Sequence, residues 1–204
     1  MKLSDWTFVG ASSDGVRADA GGEMFLGLVF IAALISVPLA RGRLTQLADI
    51  KLRRPWLAPA GIGVQILIIS VIPAGSAGFH EAVHMLSYAI LGAFAWSNRR
   101  IPGVPIIMLG GALNFIAIAA NGGVMPADPD IARHVAGAEG FVNSGAVQHP
   151  HLLFLGDVFA TPQSWPMYNV FSVGDCIIVL GVLTLLHGVS GSRLVPRRLR
   201  PMAA

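Results

Sequence analysis

Charge is almost absent from five long stretches of this chain and crowded into the gaps between them. Residues 24–40, 57–74, 80–96, 102–120 and 169–188 are apolar runs, and the gaps are rich in Gly, Pro and Arg. Runs of that length predict helices, and their repetition predicts a bundle. The chain is 54% hydrophobic and 12% charged, where a soluble domain carries about 25% charged residues. The expected fold class is therefore all-α, a polytopic transmembrane helix bundle of about five spans.

Residues 1–23 carry Asp5, Asp14, Asp19 and Glu23 against Lys2 and Arg17, and read as a loosely ordered lead-in rather than a cleavable signal peptide. Residues 24–190 form the single predicted transmembrane domain, and 191–204 a basic tail. The 41–55 gap holds Arg41, Arg43, Lys51, Arg53 and Arg54 against Asp49, with apolar residues at helical spacing, which suits a surface amphipathic helix. Arg99 and Arg100 fill another gap, and Arg193, Arg197, Arg198 and Arg200 fill the tail. All three basic clusters fall on one side if the N-terminus is outside and the C-terminus inside. The long 121–168 loop is then extracytoplasmic, and the expected location is the cell membrane as a multi-pass protein. The basic residues read as topology signals, so no nucleic-acid partner is expected, and membrane lipid is. The single cysteine, Cys176, excludes an intramolecular disulfide and any CxxC site, and reads as a small buried apolar residue.

Asp175 is the sharpest chemical signal, because an acid inside an apolar helix is expensive and a functional candidate. Asp157 precedes it across a linker holding Pro162 and Pro166. Two acids at one end of a bundle share a proton and activate a water, since like charges that close cannot both ionise. The plainer reading makes Asp157 a loop acid or cap, and satisfies Asp175 through Ser172 or a neighbouring helix. Asn114, Asn121, Gly122, Gly123 and Ser172 are the substrate-orienting candidates; for Asn114 interhelical hydrogen bonding is the simpler reading. His80, Glu81 and His84 match the HExxH pattern, whose i, i+4 histidines share a helix face and can hold zinc. No third ligand motif follows, so no metal or cofactor is expected, with His80 and His84 as the alternative. His149 and His151 flank Pro150 and read as solvated loop residues.

Several stretches resemble a known group of bacterial, largely actinobacterial, multi-pass membrane proteins described only as a domain of unknown function. They are GRLTQLADIKLRRPWL at 42–57, Ser87-Tyr88, NRRIPG at 98–103, LNFIAIAANGGVMP at 113–126, LGD at 155–157 and FSVGDCIIVLG at 171–181. That resemblance implies no activity. Gly110, Gly111, Ala112, Leu113 and Asn114, then Asp157, then Phe171, Gly174, Asp175, Ile178 and Gly181, are more distantly similar to the motifs of signal peptidase II, the aspartic lipoprotein signal peptidase. The resemblance implies that Asp157 and Asp175 form a catalytic pair. The Asp-Arg pair expected after the Gly-Asn motif is absent here, and Ser172 stands where that family has Asn.

Two function classes follow. One is an aspartic intramembrane hydrolase acting on a membrane-embedded peptide or lipid-linked group. The other is a non-catalytic membrane protein that binds an outer-leaflet lipid or a partner protein. A zinc protease through HEAVH is a third.

Overall fold

The computed structural model describes residues 13–70, 77–128, 144–145, 149–162 and 169–195. Five helices carry the fold: α1 (Ser13–Leu39), α2 (Leu57–Ser70), α3 (Ala77–Ser97), α4 (Val104–Ala120) and α5 (Val173–Val189). A 3₁₀ segment, Leu44–Asp49, stands where an amphipathic surface helix was expected. Four short strands join them: β1 (Met125–Pro126) parallel to β2 (Ser144–Gly145), and β3 (Asp157–Ala160) antiparallel to β4 (Val170–Ser172).

Each of the five apolar runs holds a helix, although 170–172 of the last run are strand β4 and 71–74 lie outside the described residues; among the described residues no helix is long and apolar enough to cross a membrane. At 1.5 Å per residue, the 17 residues of α4 and of α5 span about 26 Å. A hydrocarbon core of about 30 Å needs roughly 20 apolar residues. The 21-residue α3 is long enough but takes in His80, Glu81 and His84. The 27-residue α1 takes in Asp14, Arg17, Asp19 and Glu23, which leaves its 24–39 stretch roughly 24 Å long. This overturns the multi-pass reading, with its N-out/C-in orientation, extracytoplasmic loop and cell-membrane location. Arg43, Arg53, Arg54, Arg99 and Arg193 all lie at one pole of the bundle.

The tightest seam is between α4 and α5, which run antiparallel. Its glycines recur every seven residues, Gly103 just ahead of α4 and Gly110 on it, against Gly174, Gly181 and Gly188 on α5. A Cβ on Gly181 would lie 2.6 Å from Ile107 N, and one on Gly110 would lie 2.5 Å from Gly174 O. The backbones therefore touch, and a seven-residue repeat keeps the contact on one face of both helices. Gly103 adds a left-handed φ of 85° where the chain turns into α4.

α2 packs almost wholly on α3, and α3 meets α4 along a much shorter seam. α1 lies along α5: Phe25 approaches Phe171 at one end, and Ala33 and Val37 pack with Leu186 at the other. Two asparagines just past helix ends act as matching clamps. Asn98 accepts from Arg53 N–H at 2.8 Å and donates to Arg53 O at 2.9 Å and to Phe94 O at 2.8 Å. Asn121 accepts from His151 N–H at 2.8 Å and donates to His151 O and Ala117 O, both at 2.7 Å. Each side-chain amide copies a peptide, so a passing loop is held as a strand would be.

Candidate functional site at the start of the last helix

Ser172 ends β4 and caps α5. Its Oγ accepts from Asp175 N–H at 3.0 Å, and Asp175 Oδ2 accepts from Ser172 N–H at 2.9 Å. This reciprocal capping box satisfies two amides that a helix start leaves open, and it puts a carboxylate where the helix dipole favours one. α4 completes the group through Asn114. Asn114 Nδ2 donates to Asp175 Oδ1 at 2.8 Å, and Ser172 Oγ lies 2.9 Å from Asn114 Oδ1 and 2.8 Å from Asp175 Oδ2. The one hydroxyl hydrogen is shared between those two acceptors. Gly174 makes this possible, since a Cβ there would overlap the Asn114 amide.

Asp157 reaches the same pole by another route. Gly122 and Gly123, at φ 66° and 88°, stop α4, and Gly123 N–H returns to Ile118 O at 3.0 Å. The chain then runs beside 151–157, fastened by Asn121 and by Asp128 N–H donating to Asp157 O at 3.1 Å. Asp157 stands directly opposite Ser172 in the β3–β4 register, next to a bulge, and is buried at 4% exposure.

α3 forms the far wall. The rings of Tyr88 and Phe115 are 5.8 Å apart, and His84 meets Tyr88 edge-on at 5.1 Å. Burial, then the nearby Asp175 charge, raises the Tyr88 phenol above its ordinary range, so it stays protonated. Burial lowers His84, which favours a neutral ring.

Asn114, Ser172 and Asp175 are in direct contact, with Asp157 across the ribbon. Asn121, Gly122 and Gly123 act on the loop backbone and on the stop of α4. His149 and His151 are exposed. Cys176 is also exposed, not buried as expected, because the position after Asp175 turns away from the α4 seam. The His80 side chain lies outside the described residues, and among those described no cluster of three or more His, Cys, Asp or Glu is suited to a metal. Tyr88 lies four residues after His84, and that i+4 spacing is the sequence signal for their contact.

The opposite pole escaped the sequence reading. There His187 Nε2 lies 3.0 Å from Ser36 Oγ, and Nδ1 lies 2.8 Å from Ser192 Oγ. Ser36 Oγ donates to Ala33 O at 2.6 Å, and Leu194 N–H donates to Ser192 Oγ at 3.2 Å. With His187 neutral these contacts fit one direction of donation: Leu194 N–H to Ser192, Ser192 to Nδ1, Nε2–H to Ser36, Ser36 to Ala33 O.

No solved structure matches this chain. A protein of Thermotoga maritima described as uncharacterised is 29% identical over 102 residues, which is 50% of this chain and 61% of that protein. A family of unknown function (DUF5317) matches residues 49–187, the stretch that holds α2 to α5 and Asn114, Asp157, Ser172 and Asp175. Neither match supports a likeness to signal peptidase II. By the breadth of the family match, the chain belongs to the family of unknown function DUF5317.

Proposed function

We propose that this chain is a non-catalytic assembly protein whose first helix pairs with the same helix of a second copy. The observation that carries this is the outer face of α1. Leu28, Ile31, Ile35 and Leu39 are each more than half exposed, at spacings of three, four and four residues. Those are the intervals of a helix–helix seam, and an uncovered apolar stripe of this kind marks an interaction surface. Ala33 and Val37 face the bundle instead, so α1 is apolar on two sides. Two-fold pairing is the commonest way for one stripe to cover itself. Asp175 suits this reading too. Ser172 holds its Oδ2 and Asn114 its Oδ1, the pattern of a structural joint. The test is the molar mass of the purified protein by light scattering, with Ile31→Lys and Ile35→Lys combined. The expected result is a dimer that the double variant splits; a single-chain mass for the unaltered protein overturns the reading.

A second reading is a hydrolase in which Asp157 and Asp175 share a proton and activate a water for attack on a peptide or ester. One observation favours it, the register that sets a buried Asp157 opposite the residue capping Asp175. Hydrolysis of a peptide and ester panel, lost in both Asp157→Asn and Asp175→Asn, would carry this reading. Absence of hydrolysis by the unaltered protein, or activity that survives Asp175→Asn, would sink it.

A further inference from the structure

At the basic pole, residues 50–54 and the end of α3 wall two neighbouring cavities. One, of about 280 Å³, is lined by apolar side chains, among them Leu52, Leu91, Phe94, Val104 and Leu185, and by a single polar residue, Asn98. The other, of about 330 Å³, is lined by Arg53, Arg54, Trp96, Ser97 and Arg99, with no acid. Leu52 faces one cavity and Arg53 the other; Ala95 faces one and Trp96 the other. The Asn98 clamp fixes this alternation, because its amide holds both Arg53 backbone groups. Asn98 is thereby committed to backbone and leaves the first cavity an apolar slot.

The Arg99 side of the basic cavity is held in place. The Arg99 guanidinium lies over Trp96, 4.5 Å from the ring centroid, and donates to Trp96 O at 2.9 Å. Arg54 holds a left-handed φ of 52°, which is unfavourable for a side chain with a Cβ and recurs at binding sites. Three guanidinium groups without an acid suit a phosphate-like or carboxylate head.

We propose that this pole binds a single-chain anionic amphiphile, its head on Arg53, Arg54 and Arg99 and its alkyl tail in the apolar slot. Charge complementarity selects the head. The slot lies near the lower limit of small-molecule sites, about 300 Å³, which suits one alkyl chain better than the two of a phospholipid. The inference uses no residue of the α1 stripe and stands apart from the assembly reading.

The probe is n-decyl phosphate, titrated calorimetrically into the full chain below the concentration at which it forms micelles. Saturable binding at one site per chain is expected. Decanol and inorganic phosphate should each bind at least about tenfold more weakly, because each lacks one half of the match. Arg53→Gln with Arg99→Gln should weaken decyl phosphate about a hundredfold, roughly tenfold per charge-assisted contact. Ala95→Trp, which fills the slot, should remove the advantage of decyl phosphate over phosphate. If that variant fails to fold, the arginine pair decides, since its exposed side chains leave the core alone. Decanol binding as tightly as decyl phosphate, indifference to the arginine pair, or a preference for vesicles of two-chain anionic phospholipid would each overturn the proposal.

Discussion

The two ends of α5 solve one problem with different chemistry. Both must join the helix to its neighbours through buried polar groups. At the start, Ser172 and Asn114 surround a partly buried carboxylate, and the helix dipole favours its charge. At the end, His187 is 6% exposed and links two hydroxyls in a one-way chain that needs no charge. Water and the dipole can offset the loss of one bond at the first end. The second end has no such reserve, because a deeply buried donor without an acceptor bears its full desolvation cost.

The Asn114–Asp175 joint crosses the glycine seam, the tightest contact of the fold, so disturbing that seam should have the largest effect. Gly110→Val sets new atoms against the backbone of Gly174 and Ile178. It should destabilise by about 3 kcal/mol or prevent folding, as overpacking does. Denaturant unfolding checks this, and a loss under about 1 kcal/mol would mean the helices can part at little cost.

The comparison itself predicts that His187→Leu costs more than Asp175→Asn. The first change leaves the buried Ser192 hydroxyl without its acceptor, at about 2–3 kcal/mol. The second keeps the shape and weakens a cap, at about 1 kcal/mol. Thermal unfolding of both at neutral pH ranks them, and the reverse order would break the contrast. A gain in stability from Asp175→Asn would favour the hydrolase reading, in which that acid is strained for chemistry.

Releasing the Asn121 clamp is a smaller, local change. Asn121→Ala should cost about 1 kcal/mol and speed hydrogen exchange at the His151 amide, whose acceptor it removes. Unchanged exchange there would mean that the loop is held by other contacts.

The smallest effect is on pH. Burial lowers His84 from its ordinary 6.5, so the unfolded chain takes up a proton before the folded one does. Its contribution is therefore full above about pH 6.5, declines as pH falls toward the lowered folded value, and levels off below that. His84→Phe should flatten that part of the stability curve, and an unaltered slope would exclude His84 as its source.

The five helices were legible because their apolar runs are long and the gaps between them turn-rich. Their bearing on a membrane is not legible in the same way, because the length of an apolar run is not the length of a span. In α1 the charged positions Asp14, Arg17, Asp19 and Glu23 lie inside the helix and not in a separate lead-in. Asp175 stood out as an acid in an apolar setting, and its contacts with Asn114 and Ser172 join residues the sequence had already marked. His187 did not stand out, because a lone histidine near a helix end has no pattern around it. Ser36, its partner, is 151 residues away. The glycine repeat was visible in principle, but only the antiparallel pairing of α4 with α5 reveals which glycines meet.

That pairing also sets how the molecule can deform. α4 and α5, locked backbone to backbone, form one stiff beam, and α2 with α3 form another. The beams meet along the shorter α3–α4 seam, and the apolar slot lies at that seam, with Leu91 and Phe94 on one side and Val104 and Leu185 on the other. The joint between the beams is this shorter seam, because the Asn98 clamp ties Arg53 to the end of α3 within one beam. A relative shift of the beams would therefore change the width of the slot, whereas the Asn114–Asp175 contact lies inside one beam and would be kept.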